Sequence, residues 1–211
     1  MGDWDWVTIS ALATAAGTLV LAIATFASVR SANRAARVAE QALMTNLRPL
    51  LTTSRLEDPG EKVGFADDHY LRIPGGGAGA DVTDDAIYLA IALRNAGSGL
   101  ALLHGWVFHP QRNLSPHHAE PDEFRRLTRD LYIAPGEPGF WQGAFRDPAD
   151  PQFEAARTAI EARQPMSIDI LYGDQEGGQR MISRFALTPR SDGNWMASIG
   201  RHWNVDRSDP R

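Results

Sequence analysis

An uncharged stretch from Val7 to Val29 constrains the fold of this chain more than any other feature of its sequence. A helix rises about 1.5 Å per residue, so roughly 20 apolar residues cross the hydrocarbon layer of a bilayer. The stretch therefore predicts a transmembrane helix over residues 7–29. Its many alanines leave a buried core helix as an alternative. A cleaved signal peptide fits less well, because Asp3 and Asp5 precede the stretch where a basic segment is expected.

The residues beside this stretch predict its orientation. Arg30, Arg34 and Arg37 follow it, and no Lys or Arg precedes it in the sequence. Because positively charged flanks stay on the cytoplasmic side, we expect residues 1–6 outside the inner or plasma membrane and the rest of the chain in the cytoplasm. Trp4 and Trp6 would then lie at the outer headgroup level, where an indole buries its ring and keeps its N–H hydrated. Lipid bilayer is the first partner that the sequence implies.

Residues 30–48 favour a juxtamembrane helix that ends at Pro49, because Ala, Arg, Glu and Gln dominate them. Small residues recur at helical spacings in both predicted segments: Ala13 and Gly17 in the first, and Ala35, Val38, Ala42 and Thr45 in the second. Such spacings let two helices approach closely. They make a homo-oligomer through the transmembrane helix possible, and chance in an alanine-rich stretch is the equal alternative.

Charge and cysteine content restrict the kinds of partner. The formal net charge is −5, and the acidic excess lies after residue 48. Binding to nucleic acid relies on Lys and Arg gathered on one face, so we expect no nucleic-acid partner. The chain has no Cys, which is compatible with a reducing cytoplasm but also with an exported domain without disulfides.

Residues 49–211 alternate short apolar segments with Gly- and Pro-containing turns. Seven or eight strands of this kind predict a mainly β fold, an antiparallel β-sandwich of the Ig-like type. One short helix is predicted in "DPADPQFEAARTAIEAR". Two insertions, near 57–85 and 109–128, are expected to be loops, because they are rich in Gly, Pro and polar residues.

Turn signals suggest which strands pair. "AIYLAIALRN" is apolar on both faces, as a central strand is, and "AGSG" joins it to "LALLHGWVF". A short link containing glycine predicts a hairpin between these two strands. The links "QEGG" and "RSDG" predict two more hairpins near the end of the chain.

The segment "LRNAGSGLA", together with the uncharged N-terminal span and "LRPLL", resembles a group of uncharacterised bacterial single-pass membrane proteins. Their Asn-x-Gly-x-Gly-x-Ala turn matches Asn95, Gly97, Gly99 and Ala101, whereas Leu100 stands where the group often has Pro. The resemblance implies an architecture and no activity. We expect the glycines to adopt positive φ and the Asn95 amide to bond the turn backbone.

The six histidines and the acidic residues are the candidates for catalytic or metal-binding patterns. His109, His117 and His118 lie in one loop beside several carboxylates, but their spacing matches no metal-ligand motif. The sequence also has no GxSxG motif, Walker loop or dinucleotide-binding motif. We therefore predict no catalytic, cofactor-binding or metal-binding residue and no cofactor, with a metal-dependent enzyme using this histidine loop as an alternative.

Aromatic residues suggest a surface for a protein partner. Trp195 and Trp203, eight residues apart, are predicted on one face of the last strand, next to Arg201. Core packing is the default interpretation, but exposed Trp and Arg side chains dominate interface hot spots. We take Trp195, Arg201 and Trp203 as the candidate partner surface.

These observations favour a membrane-anchored, non-catalytic protein-interaction or scaffold module with a cytoplasmic β-sandwich and an unknown protein partner. Two alternatives stay open: the metal-dependent enzyme, and a domain anchored outside the cytoplasm that binds a ligand.

Overall fold

The computed structural model describes residues 5–206, apart from the side chains of residues 41 and 43–46. Trp4, one of the two predicted interfacial tryptophans, lies outside the described residues. The chain divides into an N-terminal unit, residues 1–46, and a second unit, residues 47–211. The predicted mainly β fold with a long N-terminal helix and a second short helix is confirmed.

In the described part of the N-terminal unit there is one helix, α1 (Trp6–Asn46), of 41 residues. The segments predicted as 7–29 and 30–48 thus belong to one helix about 60 Å long. Its side chains are exposed from Trp6 to Glu40. Serine and threonine hydroxyls in its apolar part donate to backbone carbonyls three or four residues earlier, at 2.8–2.9 Å: Ser10, Thr14, Thr18 and Thr25. This bonding satisfies the hydroxyl donors without water.

Between residues 47 and 206, the second unit contains eleven strands and one α-helix. In chain order these are β1 (Leu51–Thr53), β2 (Glu61–Gly64), β3 (Tyr70–Ile73), β4 (Gly77–Val82), β5 (Ile87–Asn95), β6 (Ala101–His109), β7 (Arg125–Ile133), β8 (Pro138–Phe145), α2 (Phe153–Glu161), β9 (Met166–Gly173), β10 (Met181–Pro189) and β11 (Trp195–Asn204). Nine strands form one curled antiparallel sheet in the order β1-β5-β4-β11-β10-β9-β6-β7, with β8 on the second edge of β5. The first layer of the predicted sandwich contains β1, β4, β5 and β8, and the second contains β6, β7, β9, β10 and β11. The two layers are joined where β4 pairs with β11.

Large side chains from both layers fill the main core. Trp141 and Phe145 of β8 meet Trp106 of β6 in edge-to-face contacts, with ring centroids 5.4 and 5.1 Å apart. The predicted helix is confirmed as α2, whose Phe153 and Ala156 are fully buried against this core. Aromatic burial on this scale makes the core the main source of stability of the unit.

The insertion 57–85 is not the loop that the sequence predicts, because it contains β2, β3 and β4. The "GGGAG" segment enters the sheet, and its small residues make room for the β2–β3 hairpin above it. A Cβ on Gly79 would lie 2.9 Å from Cγ2 of Ile73. The hairpin buries Val63 and Ile73 against Tyr88 and Ala90 of β5, which explains why β5 is apolar on both faces.

The insertion 109–128 covers the outer face of the second layer. β7 begins at Arg125, earlier than predicted, and residues 110–124 form a strap over β9, β10 and β11. The strap has one short 3-10 turn, Pro121–Glu123. Under it a small apolar cluster contains Phe124, Leu171, Ile182 and Trp203.

The predicted hairpin between β5 and β6 is wrong. β5 pairs with β1, β4 and β8, whereas β6 pairs with β7 and β9. The "AGSG" link therefore crosses from one layer to the other. The hairpins predicted at "QEGG" and "RSDG" are confirmed as β9–β10 and β10–β11.

Candidate functional site

Asn95 organises the link between the two layers. Its side chain is fully buried, and its Oδ1 accepts hydrogen bonds from the backbone N–H groups of Leu50 (3.1 Å) and Gly97 (2.9 Å). Its Nδ2 donates to the carbonyl oxygens of Gly99 (2.7 Å) and Ile133 (3.0 Å). One buried amide thus binds four backbone groups from three segments of the chain.

The glycines of the turn are needed for a reason other than the one predicted. Neither Gly97 nor Gly99 has a positive φ. A Cβ on Gly99 would lie 1.7 Å from the carbonyl oxygen of Leu47, and one on Gly97 would lie 2.4 Å from that of Arg48. The turn and residues 47–50 therefore pass too close for any side chain. We call Asn95–Gly99 and the residues 47–50 that it holds the Asn95 clamp.

A second set of bonds continues from the clamp into the sheet. The N–H of Leu51 donates to the Tyr172 hydroxyl (3.3 Å), which in turn bonds the hydroxyl of Ser183 (2.9 Å). Burial raises the pKa of Tyr172, so the phenol keeps its proton at neutral pH. The Arg48 guanidinium donates to Oδ1 of Asn204 at 2.5 Å. The first residues of the second unit, which we call the β unit, are thus held by both of its layers.

The candidate partner surface predicted from Trp195, Arg201 and Trp203 is wrong, because both indoles are buried. Trp195 is 3% exposed and lies in the main core, whereas Trp203 is 5% exposed and lies under the strap. Only Arg201 is partly exposed, and its guanidinium donates to the carbonyl oxygen of Pro116 (3.3 Å). Trp203 donates to the same oxygen through its indole N–H (3.0 Å).

A β-bulge explains why these tryptophans do not share a face. Arg184 of β10 pairs with Arg201, but the next residue, Phe185, pairs with Ile199. Gly200 is therefore an extra residue in β11. An extra residue reverses the alternation of side chains along the rest of the strand, so Trp195 and Trp203 point to opposite faces.

The histidines of the alternative, metal-dependent enzyme do not converge. Nε2 of His109 lies 3.2 Å from a carboxylate oxygen of Asp169, His117 is exposed, and His118 packs edge-on against the Trp203 ring. Within residues 5–206, no group of three or more His, Asp or Glu side chains is placed to hold a metal.

A buried ion pair fixes the strap to the sheet. The Arg184 guanidinium binds both carboxylate oxygens of Asp169 at 2.7 Å, and both side chains are nearly inaccessible to solvent, at 4% and 0% exposure. Two further N–H groups of Arg184 donate to the carbonyl oxygens of Ser115 (2.9 Å) and His117 (3.1 Å). Because the charges neutralise each other and the strap carbonyls are satisfied, the pair is tolerated without water.

The pH dependence of stability follows from this pair and from Asp150. Burial alone would raise the pKa of Asp169, but the bonds from Arg184 and His109 outweigh it and lower that pKa below its usual value. The hydrogen bond from Arg125 lowers the pKa of Asp150 in the same direction. Both carboxylates thus contribute stability that is present above their unfolded pKa of about 4 and is lost as the pH falls through their folded values.

We therefore predict that the free energy of unfolding of the β unit decreases as the pH falls below about 4. Urea denaturation of the full chain in detergent, followed by tryptophan fluorescence at several pH values, measures this. In Asp169→Asn the decrease should be smaller, since the variant lacks one of the two carboxylates whose protonation is linked to unfolding. A free energy that stays constant from pH 5 to pH 2.5 would contradict the prediction.

A cavity of about 570 Å³ opens between β6 and β7. Leu103 pairs with Leu131 and Gly105 pairs with Arg126, so residues 127–130 of β7 lie opposite His104 alone. These four residues of β7 are therefore not paired with β6 and form an irregular bulge. Bulges often lie beside functional sites because they redirect side chains out of a regular sheet.

Neither the ion pair nor this cavity is among the features predicted from the sequence. A signal for the ion pair exists, because "SIDIL" and "ISRFAL" each hold one charged residue inside an apolar strand, and a charge in a buried strand requires a partner. The cavity has no comparable signal, since it depends on a mismatch in strand register. Neither feature by itself brings a nucleophile and a base together at an open surface.

In comparisons with protein-family models, with curated proteins and with solved structures, nothing matches this chain.

Proposed function

We propose that this chain is a membrane-anchored, non-catalytic interaction or scaffold module, with its N-terminus outside an inner or plasma membrane and its β unit in the cytoplasm. The proposal has three parts: insertion of α1, orientation of the chain, and recruitment of a protein by the β unit. The likeness to bacterial single-pass membrane proteins points to the same architecture.

The observation that carries the proposal is the exposed apolar surface of α1. Residues 6–40 form a helix long and apolar enough to span a membrane, with a mean hydropathy of 2.0 in its most apolar window and none of that window buried in the protein. Its large apolar side chains include Leu19 (62% exposed), Ile23 (60%) and Phe26 (68%). A surface of this kind is unstable in water and is expected to insert in lipid or to be covered by another chain.

The arginines after the apolar part support the orientation. Arg30, Arg34 and Arg37 are exposed and recur at spacings of four and three, so they share one side of α1. Each basic residue near an anionic leaflet contributes about 1 kcal/mol of attraction. This side of the helix suits the cytoplasmic headgroup layer, whose lipids are anionic.

Continuity of α1 supports self-association. Gly17 and Ala35 are 18 residues apart, which is about five turns and brings them to one side of the helix. A single seam on this side of the helix therefore contains Ala13, Gly17, Ala35, Val38 and Ala42. No neighbouring atom would contact a Cβ added at Gly17, so its surface is open to a second copy of the helix.

Gly17→Ile should weaken this association about tenfold or more, because the added side chain prevents close approach of two helices. Förster transfer between labelled full-length chains in detergent or bilayers measures the dissociation constant. Ala22→Ile, which lies away from the seam on the same helix, is the matched control and should have little effect. Equal association of both variants and the original chain would contradict the seam.

A crosslinked pull-down tests the proposed function. Tagged full-length chain is crosslinked in membranes, extracted with mild detergent and analysed by mass spectrometry and for bound metal, beside a chain that ends at residue 46. We expect a protein enriched by the full chain and not by the helix alone. Enrichment of no protein above the helix control, or about one equivalent of bound metal, would overturn the proposal.

A further inference from the structure

The cavity between β6 and β7 holds charged side chains that do not neutralise one another. Asp122 comes from the strap, whereas Arg126, Arg129 and Asp130 come from the irregular part of β7. All four are exposed. Among the described residues, the side chains of Asp122, Arg126 and Asp130 form no hydrogen bond or ion pair, and the Arg129 side chain makes one long bond, 3.5 Å, to the carbonyl oxygen of Gly64. The rim therefore has two unpaired acids and two arginines available.

The floor of the same cavity is apolar. Phe124 and Leu171, which belong to the apolar cluster under the strap, line it and are 8% and 6% exposed, respectively. Gly105 lies between them, and a Cβ there would be 2.8 Å from the Arg125 carbonyl oxygen and 3.0 Å from Cβ of Phe124. Because both side chains are buried in the cluster with Ile182 and Trp203, the floor keeps its shape without a ligand. Its volume is within the range of about 300–1,000 Å³ typical of small-molecule sites.

The distribution of charge restricts what this cavity can bind. A simple anion would meet the carboxylates of Asp122 and Asp130, and a simple cation would meet Arg126 and Arg129. An uncharged apolar molecule would remove all four charges from water without compensation, which is costly. Only a molecule that carries both signs of charge and an apolar part satisfies the rim and the floor together.

From this geometry we propose that the β6–β7 cavity binds a small zwitterion with an apolar side chain, of the α-amino acid or short-peptide class. Its carboxylate pairs with Arg126 and Arg129, because guanidinium groups match carboxylate geometry. Its ammonium group pairs with Asp122 and Asp130, and its side chain lies on the floor formed by Phe124 and Leu171. This site is independent of the proposed membrane orientation and of the protein partner.

Equilibrium dialysis tests the proposal with full-length protein in lipid nanodiscs and empty nanodiscs as the blank. The probe is radiolabelled phenylalanine, competed with unlabelled phenylalanine, N-acetylphenylalanine, phenylalaninamide and glycine. We expect saturable binding of phenylalanine. Each of the three analogues, which lack the ammonium group, the carboxylate or the apolar side chain, should compete at least about tenfold less well, since charged hydrogen bonds and apolar burial each contribute that much.

Two variants assign the charges. Arg126→Gln should weaken phenylalanine binding about tenfold or more and reduce the preference for phenylalanine over its amide, whereas Asp130→Asn should reduce the preference over the N-acetyl compound. Arg112→Gln, at an exposed strap residue outside the cavity lining, is the control and should bind normally. Circular dichroism confirms that each variant is folded. Absence of saturable binding, or equal competition by phenylalanine and both blocked analogues, would overturn the proposal.

Discussion

Asp169→Ala is expected to lower the free energy of unfolding of the β unit by about 3–5 kcal/mol, because it leaves the buried Arg184 guanidinium without its counter-ion. The remaining bonds of Arg184 to the carbonyl oxygens of Ser115 and His117 do not neutralise its charge. The unpaired charge of Arg184 can be stabilised by water, but the strap must lift before water can reach the guanidinium. Urea denaturation of the full chain in detergent, followed by tryptophan fluorescence, gives the change.

Glu154→Gln is the matched control, because it removes an acidic residue whose nearest cation, Arg157, is 3.9 Å away on an exposed helix face. Exposed pairs of this kind contribute less than about 1 kcal/mol. The strap should also become accessible in Asp169→Ala, so limited trypsin digestion at Arg112 should accelerate in this variant and not in the control. Similar losses of stability in the two variants would show that the Asp169–Arg184 pair does not hold the strap.

Gly99→Ala is the second substitution with a large expected effect. Its Cβ would lie 1.7 Å from the carbonyl oxygen of Leu47, and a backbone atom cannot move aside as a flexible side chain can. The clamp must open, which weakens the bonds between Asn95 and the backbone of residues 50, 97 and 99. We expect a loss of about 3 kcal/mol or more in the free energy of unfolding, at the upper end of overpacking effects.

Gly178→Ala is the control for the clamp, since nothing lies within 4 Å of the added Cβ. Its free energy of unfolding should change by less than about 0.5 kcal/mol. A Gly99→Ala variant as stable as Gly178→Ala would show that residues 47–50 do not need the close approach seen at Gly99.

Local patterns predicted those parts of the fold that depend on local structure. The helix around Phe153 and Ala156 was recognisable because its apolar residues recur at helical spacing. The hairpins before Met181 and before Trp195 were recognisable because Gly-containing turns separate alternating segments. In these elements the sequence neighbours are also the spatial neighbours.

The wrong predictions depend on contacts between distant residues. The "AGSG" link has the composition of a hairpin turn, but the chain changes layers there. Its glycines are needed because residues 47–50 pass too close to the link for a side chain. Trp203 faces away from Trp195 because one inserted glycine, Gly200, forms a bulge. Gly79 lies in a strand because Ile73 of another hairpin packs above it. Packing between residues far apart in the chain cannot be predicted from a local sequence pattern.

The candidate site was accessible to sequence reasoning only in part. Asn95 and its glycines stand out as a motif, and the structure shows which bonds they make. His109 was grouped with His117 and His118 through nearness in sequence, whereas its bonding partner is Asp169, 60 residues later. The cavity beside His104 requires knowledge of the β6–β7 register and could not be predicted.

Labelling of single cysteines tests the proposed membrane topology most directly. The chain has no Cys, so Asp5→Cys and Glu176→Cys each introduce a single thiol at an exposed position, one before α1 and one in the β9–β10 turn. With a maleimide that does not cross membranes, intact cells should label Asp5→Cys, and Glu176→Cys should react only after the cells are permeabilised. Labelling of Glu176→Cys in intact cells, with Asp5→Cys protected, would contradict a cytoplasmic β unit.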